Sequence, residues 1–291
     1  MIEPTHLNVA RQYWVRMAYI IGVAGNSGTG KTSFADLVTQ LIPGAKHISL
    51  DDYHKYDREQ RKVLKITPLN PKANDFDLMY KHISSIKRGE SIVKPVYNHS
   101  TGKIIKNGER FTPSDVVVIE GLLPFYDPRI ANLFDVKIFF DICKPLELHW
   151  KIVRDRTKRH YEKQFDLRQR DRDFKKYVLP QKNICDVTLH ACSTGRGGRG
   201  IRATIIPQNW PFNVHAEYAP GKYSLELDGR GITLRGTFTQ KVLSNMLPGI
   251  AENKIPARVN SFTAAQLLII WNILLERGDL DEIAGSARRD R

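Results

Sequence analysis

Short apolar runs recur along the first two thirds of the chain, with amphipathic segments between them. The runs are Tyr19 to Ala24, His47 to Leu50, Val116 to Ile119, Val136 to Phe140 and Asp186 to Leu189. They are too short for helices, and the runs Tyr19 to Ala24 and Val116 to Ile119 are continuous and rich in Val and Ile. Strands covered on both faces have this pattern, so it predicts an α/β fold with a mostly parallel sheet flanked by helices. Between the first two runs, Phe34, Leu37, Val38 and Leu41 share one face of a predicted helix over Thr32 to Leu41, which Pro43-Gly44 ends.

The pattern changes after Cys192. Ser193 to Gly200 is a turn-rich joint. Beyond it, Ile201 to Ile206, Lys222 to Asp228 and Ile232 to Phe238 read as strands, with Asp228-Gly229 and Gly231 as turn residues. A last helix is predicted from Ser261, read as its N-cap, through Leu268, Ile269, Trp271, Ile273 and Leu274. We therefore expect an α/β domain over residues 1–192 and a β-rich C-terminal subdomain with a closing helix over residues 193–291.

Composition narrows the class. With 291 residues, 41% of them hydrophobic and 26% charged, the chain is of ordinary globular make-up. The longest apolar stretch, Ala264 to Leu275, contains Gln266 and Asn272 and falls short of the roughly 20 residues of a membrane span. The opening residues carry Glu3, His6, Arg11 and Arg16 and lack the apolar core of a signal peptide, so the expectation is a cytoplasmic protein with no membrane partner. The three cysteines, Cys143, Cys185 and Cys192, make no disulfide framework and are expected to be buried thiols. The net charge of +14 favours anionic partners such as nucleotides or phosphorylated metabolites. Neither zinc-finger spacing nor an aromatic-interleaved RNA motif is present, so nucleic acid is not expected.

The chemistry begins at Gly25-Asn26-Ser27-Gly28-Thr29-Gly30-Lys31-Thr32, which fits G-x-x-x-x-G-K-[ST] between a predicted strand and a predicted helix. Glycines let the backbone curl so that its N–H groups face phosphate oxygens, and the helix N-terminus adds positive potential. Lys31 is placed to reach the β- and γ-phosphates and the Thr32 hydroxyl to ligate Mg²⁺. Residues 25–32 and the following Ser33 are the nucleotide-binding candidates. Glu120 ends a buried strand, where such sheets bind ligands, and is a second candidate for Mg²⁺. No guanine-specific N-K-x-D signature follows the loop, which argues against a GTPase.

Three further clusters are polar: Leu50-Asp51-Asp52-Tyr53-His54-Lys55-Tyr56-Asp57-Arg58, Lys94-Pro95-Val96-Tyr97-Asn98-His99-Ser100-Thr101-Gly102-Lys103, and Lys151-Ile152-Val153-Arg154-Asp155-Arg156-Thr157-Lys158-Arg159-His160. In the last, Lys151, Arg154 and Lys158 fall on one helical face. Such a face is often merely solvated, but cations there can also hold an acceptor's phosphate. With Asn74 to Tyr80, Thr101-Gly102, Val118 to Leu122 and Pro180-Gln181-Lys182, these blocks resemble the phosphoribulokinase and uridine kinase family of P-loop kinases. The likeness runs from Ile20 to about Leu189 and is strongest to the plant and cyanobacterial branch.

The resemblance implies a P-loop kinase domain that uses ATP and Mg²⁺ to phosphorylate D-ribulose 5-phosphate to the 1,5-bisphosphate, and a homodimer. It implies Asp51 as the base that takes the hydroxyl proton and Lys31 as its catalytic partner on the phosphates. It places His54, Arg58, Tyr97, His99, Lys151, Arg154 and Arg159 on the sugar-phosphate side, and Glu120 and Asp155 with Thr32 near the metal. Asp52 is expected to be a helix cap or a surface charge. Two positions depart from the family: His160 replaces a glycine, and Thr29 replaces the regulatory thiol of plant-type enzymes, so oxidation is not expected to change activity. A uridine or other sugar kinase, and a nucleotide-binding regulator without catalysis, are the alternatives.

Overall fold

The computed structural model describes residues 17–154, 167–194, 200–214, 223–229 and 231–280. Its centre is β1 (Tyr19–Gly25), an uncharged run that can be buried on both faces. A loop joins it to α1 (Lys31–Leu41), and β2 (Lys46–Ser49) follows. Then come α2 (Arg58–Val63), α3 (Phe76–Lys87), the hairpin strands β3 (Ile92–Asn98) and β4 (Lys103–Phe111), and β5 (Val116–Gly121). The short α4 (Pro128–Ala131) leads to β6 (Val136–Ile142), α5 (Lys144–Arg154), α6 (Leu167–Asp173) and β7 (Val187–Ser193). The last part holds β8 (Ile201–Pro207), β9 (Tyr223–Asp228), β10 (Gly231–Thr239), α7 (Gln240–Met246), β11 (Arg258–Asn260) and α8 (Ser261–Arg277).

Nine strands form one sheet in the order β11-β10-β8-β7-β6-β1-β5-β2, with β9 paired to β10. The pairs β2·β5, β5·β1, β1·β6 and β6·β7 are parallel, and from β7 onward every pair is antiparallel. Alternate residues of a strand face opposite sides. Ile21, Val23, Val118, Ile138 and Phe140 accordingly join one core with α1 and α8, while Ile20, Ala24, Val117, Ile119 and Phe139 join another with α3. The sheet is mixed, and its parallel part from β2 to β7 is the helix-flanked parallel sheet that the apolar runs predict.

The expected division at residue 192 falls within β7. β8 pairs with β7 from Ile201↔Ser193 to Pro207↔Val187, so the later strands continue the same sheet and share its core. α8 is apolar nearly all round and buried over most of its length, as a helix inside a core must be. Its N-cap is Asn260, whose side chain accepts from the Thr263 amide at 2.9 Å. Ser261, expected as the cap, is the first helical residue, and its hydroxyl donates to the Ile201 carbonyl.

Other expectations also change. The strand predicted over His47 to Leu50 stops at Ser49, and Leu50–Tyr53 form a 3₁₀ turn capped by the Ser49 side chain. The β3–β4 hairpin had no clear periodic signal, because β4 is charged and exposed along most of its length. Within Pro180-Gln181-Lys182, the buried Gln181 accepts from the Phe125 amide at 2.8 Å and donates to the Leu122 carbonyl at 2.9 Å. That block is therefore structural.

The cysteines need a correction. Cys143 and Cys192, expected as buried thiols, are only partly buried and lie side by side with their Cα atoms 5.3 Å apart. They meet because Cys143 directly follows β6, and β6 and β7 run side by side in parallel. Cys185 is the fully buried thiol, and burial pushes its pKa up. Cys185 should resist alkylation until the chain is unfolded, and rapid labelling of Cys185 in the native protein would contradict this packing.

Candidate active site

The loop after β1 turns back on itself into α1, and two of its glycines make this possible. Gly28 and Gly30 adopt φ of 89° and 91°, where a side chain would be strained. Both are also crowded: a Cβ at Gly28 would lie 3.1 Å from the Lys151 Cβ, and one at Gly30 would lie 2.9 Å from the Phe262 ring. The loop is thus held between α5 and α8. α5 adds polar contacts, since Glu147 Oε1 accepts from Asn26 Nδ2 at 2.7 Å and the Arg154 guanidinium donates to Ser27 Oγ at 3.1 Å.

Lys31 is buried in this fold, and its ammonium donates to the Asn26 carbonyl at 2.8 Å. Burial pushes its pKa down, while the carboxylates of Glu120 and Asp51 oppose the shift. The Thr32 hydroxyl donates to Glu120 Oε1 at 3.2 Å, which brings the two metal candidates together. Thr29 Oγ1 donates to the Asn26 carbonyl at 2.8 Å, and Ser33 stays exposed on the first turn of α1. His47, which the sequence reading passed over, places Nε2 at 3.6 Å from Glu120 Oε1. Its signal was weak: a single imidazole next to a strand end.

The loop forms one wall of a cavity of about 740 Å³. Asp51, His54, Arg58, Tyr97 and His99 line the same cavity, as do Lys151 and Arg154 of α5. The Asp51 carboxylate lies 3.8 Å from His54 Nε2 and 3.7 Å from His99 Nε2. Asn74 fixes the buried His54 ring, with Oδ1 at 2.9 Å from Nδ1, while its own Nδ2 donates to the Pro68 and Asn70 carbonyls. The Asn74–Tyr80 block is thus tied to the site through one amide, and Asp75 beside it caps α3. Arg58 donates to the carbonyls of His99 and Ser100. The structure therefore brings together every site residue expected from the sequence except Asp155 and Arg159, which lie outside the described residues, as does His160.

Arg61 is a further cation on this wall, one turn beyond Arg58. It is 3% exposed, donates to Tyr97 Oη at 2.8 Å and to the Tyr56 carbonyl at 2.6 Å, and lies over the Tyr97 ring. Its Nε makes no hydrogen bond among the described residues. The i, i+3 spacing of the two arginines was readable in the sequence.

Asp51 and Asp52 part ways in the 3₁₀ turn. Asp51 faces the cavity. Asp52, expected as a helix cap or surface charge, instead accepts from Lys94 Nζ at 2.7 Å and from the Tyr97 amide at 2.8 Å. Lys94 is itself buried and also bridges Glu109 at 2.9 Å, so Asp52 fastens the hairpin that carries Tyr97 and His99.

Two outcomes follow from this packing. Burial lowers the His54 pKa from 6.5 to about 4, with the Asp51 carboxylate opposing the shift. The folded state then binds fewer protons than the unfolded chain between these values. Stability is greatest above pH 6.5, falls as pH drops toward about 4, and loses part of this slope in His54→Gln. A proton-NMR titration in which His54 titrates near its ordinary value would contradict this. Asp52→Ala removes one partner of a buried pair and should cost about 3 kcal/mol in urea unfolding. Asp51→Ala, at a half-buried position, should cost less than half of that.

Residues 20–196 match the model of the Phosphoribulokinase / Uridine kinase family. The chain is 43% identical over 181 residues to the phosphoribulokinase of Synechocystis sp., covering 60% of this chain and 54% of that protein. It is 38% identical over 197 residues to the chloroplastic phosphoribulokinase of Spinacia oleracea, covering 60% and 49%. The chain thus spans about half the length of these relatives. The solved phosphoribulokinase from Rhodobacter spheroides superposes over 93% of this chain and 99% of that one, with a TM-score of 0.58 and 16% identity, a likeness of fold. A sheet with a glycine loop pinned between two helices, and a family match over more than half of its length, place this chain in the phosphoribulokinase and uridine kinase family.

Proposed function

We propose that the protein is an ATP-dependent kinase that phosphorylates D-ribulose 5-phosphate to the 1,5-bisphosphate. One observation carries the reading: a carboxylate, Asp51, stands between two imidazoles in a cavity shared with the phosphate loop and with Arg58, Arg61, Lys151 and Arg154. A neutral nucleoside has no use for so many cations, whereas a sugar phosphate does. The relatives at 43% and 38% identity are phosphoribulokinases, which supports the same acceptor.

In this reading Asp51 accepts the proton of the attacking hydroxyl. Its neighbour His54 stays neutral at neutral pH, because burial holds its pKa at about 4. It therefore adds no charge that would weaken Asp51 as a base. Arg58, His99, Tyr97, Lys151 and Arg154 hold the sugar phosphate, with Arg61 steadying Tyr97. Arg159 belongs to this group by resemblance. The loop amides and Lys31 hold the ATP phosphates. Thr32 and Glu120 fit a magnesium ion, being hard oxygen donors already within hydrogen-bond distance of each other. Asp155 joins them by resemblance. The ion would neutralise charge on the transferring phosphoryl group. A homodimer and a cytoplasmic location belong to the same reading; among the described residues no helix is long and apolar enough to cross a membrane.

An acceptor panel followed by ADP release tests the substrate, and turnover of uridine without turnover of ribulose 5-phosphate would reverse the choice. Asp51→Asn should lower kcat by about 100-fold or more with nucleotide binding retained. Arg154→Gln should weaken use of the sugar phosphate by roughly 30-fold or more, the lower end for removing one partner of a buried charge pair. An unchanged KM and kcat for ribulose 5-phosphate would remove Arg154 from the acceptor site.

A further inference from the structure

Part of the cavity takes no part in the reading above. β1 and its loop lie between β5 and β6 in the sheet. Asp51 follows β2, on the β5 side, whereas α5 follows β6, and α8 packs against β7, β8 and β10 on the other side. On that second side the cavity is lined by Leu148, Trp150 and Val153 of α5 and by Phe262, Thr263 and Gln266 of α8. α8 lies beyond the residues matched by the family model.

Two features there lack a structural explanation. The first is Gln266, an amide only 1% exposed on an apolar helix. The other buried amide of α8, Asn272, is accounted for: it accepts from the Asn213 amide at 2.7 Å and donates to the Asn213 carbonyl at 3.0 Å. Among the described residues the Gln266 side chain makes a single hydrogen bond, from Nε2 to the Gly30 carbonyl at 3.5 Å. A buried amide with so few partners costs free energy unless something else completes it. The second feature is a pair of apolar side chains on a charged helix, Leu148 and Val153, each nearly half exposed and both on the cavity wall. Trp150, which also lines the cavity, sets its ring 4.9 Å from that of Phe262. Flat apolar walls with one oriented hydrogen-bonding group are what a ligand's heterocycle requires.

We propose that Gln266 reads the amino-bearing edge of the adenine base, in a slot walled by Leu148, Trp150, Val153 and Phe262. The inference rests on the reading of the loop as a nucleotide site. Nε2 faces the carbonyl of Gly30, a residue of the phosphate loop itself, at 3.5 Å, which favours the orientation that turns Oε1 toward the cavity. It leaves Oε1 to accept from the 6-amino group and the second Nε2 hydrogen to meet a neighbouring ring nitrogen. A base with a carbonyl at position 6 sets oxygen against oxygen there, and turning the amide over would instead set Oε1 against the Gly30 carbonyl. The C-terminal segment thereby acquires a task in nucleotide selection.

Calorimetric titration of the full chain with ADP and with inosine diphosphate, which carries oxygen in place of the 6-amino group, tests this without any acceptor sugar. Failure of the ribulose 5-phosphate reading therefore leaves the result intact. ADP should bind at least about tenfold more tightly than inosine diphosphate. In Gln266→Met, checked for folding by circular dichroism, the two should bind within about twofold of each other, chiefly through weaker ADP binding. Leu148→Ser, at a half-exposed wall position, should weaken both nucleotides and leave their ratio unchanged. Equal binding of the two nucleotides by the unaltered protein overturns the proposal, as does a preference that survives in folded Gln266→Met. If that variant does not fold, the ratio in the unaltered protein and in Leu148→Ser decides.

Discussion

The backbone between Gly25 and Lys31 must stay curled with its amides turned inward, and no hydrogen-bonded ladder of its own holds it there. Everything around it supplies the missing restraint. Glycines at positive φ remove the steric objection. α5 closes over Gly28 with Lys151 and reaches back through Glu147 and Arg154. α8 sets an aromatic ring against Gly30. Two helices that enclose the loop need a sheet wide enough to carry both. Extending it beyond β7 with β8 and β10 provides the surface on which α8 lies.

The same enclosure controls charge. Lys31, Glu120 and His54 are all buried, and each would be costly alone. They are arranged so that no charge is left without an opposite: Lys31 feels Glu120 and Asp51, Glu120 takes a hydrogen bond from Thr32, and His54 sheds its proton. An anionic ligand would then meet Lys31, Arg58, Arg61 and Arg154 around one cavity. Arg61 is the exception to this pairing: it is buried, and among the described residues it meets only neutral groups, the Tyr97 hydroxyl and the Tyr56 carbonyl.

Those parts of the fold and site that depend on local chemistry were legible in the sequence. The β1, β5 and β6 runs, the glycine loop and the first face of α1 each follow from a few consecutive residues. What was not legible depends on contacts between distant segments. The β3–β4 hairpin shows no alternation because its outer strand faces water. The closeness of Cys143 to Cys192 follows from β6 and β7 lying in parallel register, which no spacing between the two residues encodes. Gln266 and Phe262 gave no signal because a glutamine and a phenylalanine in an apolar helix look like core until the helix is placed beside the loop.

Asp51 and Asp52 show why identical residues one position apart can take unlike tasks. The turn at Leu50–Tyr53 is too tight for both carboxylates to face the same way. Whichever one faces the cavity leaves the other pointing into protein, where a carboxylate needs a cation and a donor. Lys94 and the Tyr97 amide meet that need, and both belong to β3. The residue that does not face the cavity thus positions the strand that carries Tyr97 and, just beyond its end, His99. His99 in turn lies 3.7 Å from the carboxylate that does. Asp52 and Asp51 are coupled through the hairpin. A disturbance at Asp52 therefore reaches the cavity by moving a side chain toward or away from Asp51, and it registers as lost stability together with a displaced imidazole.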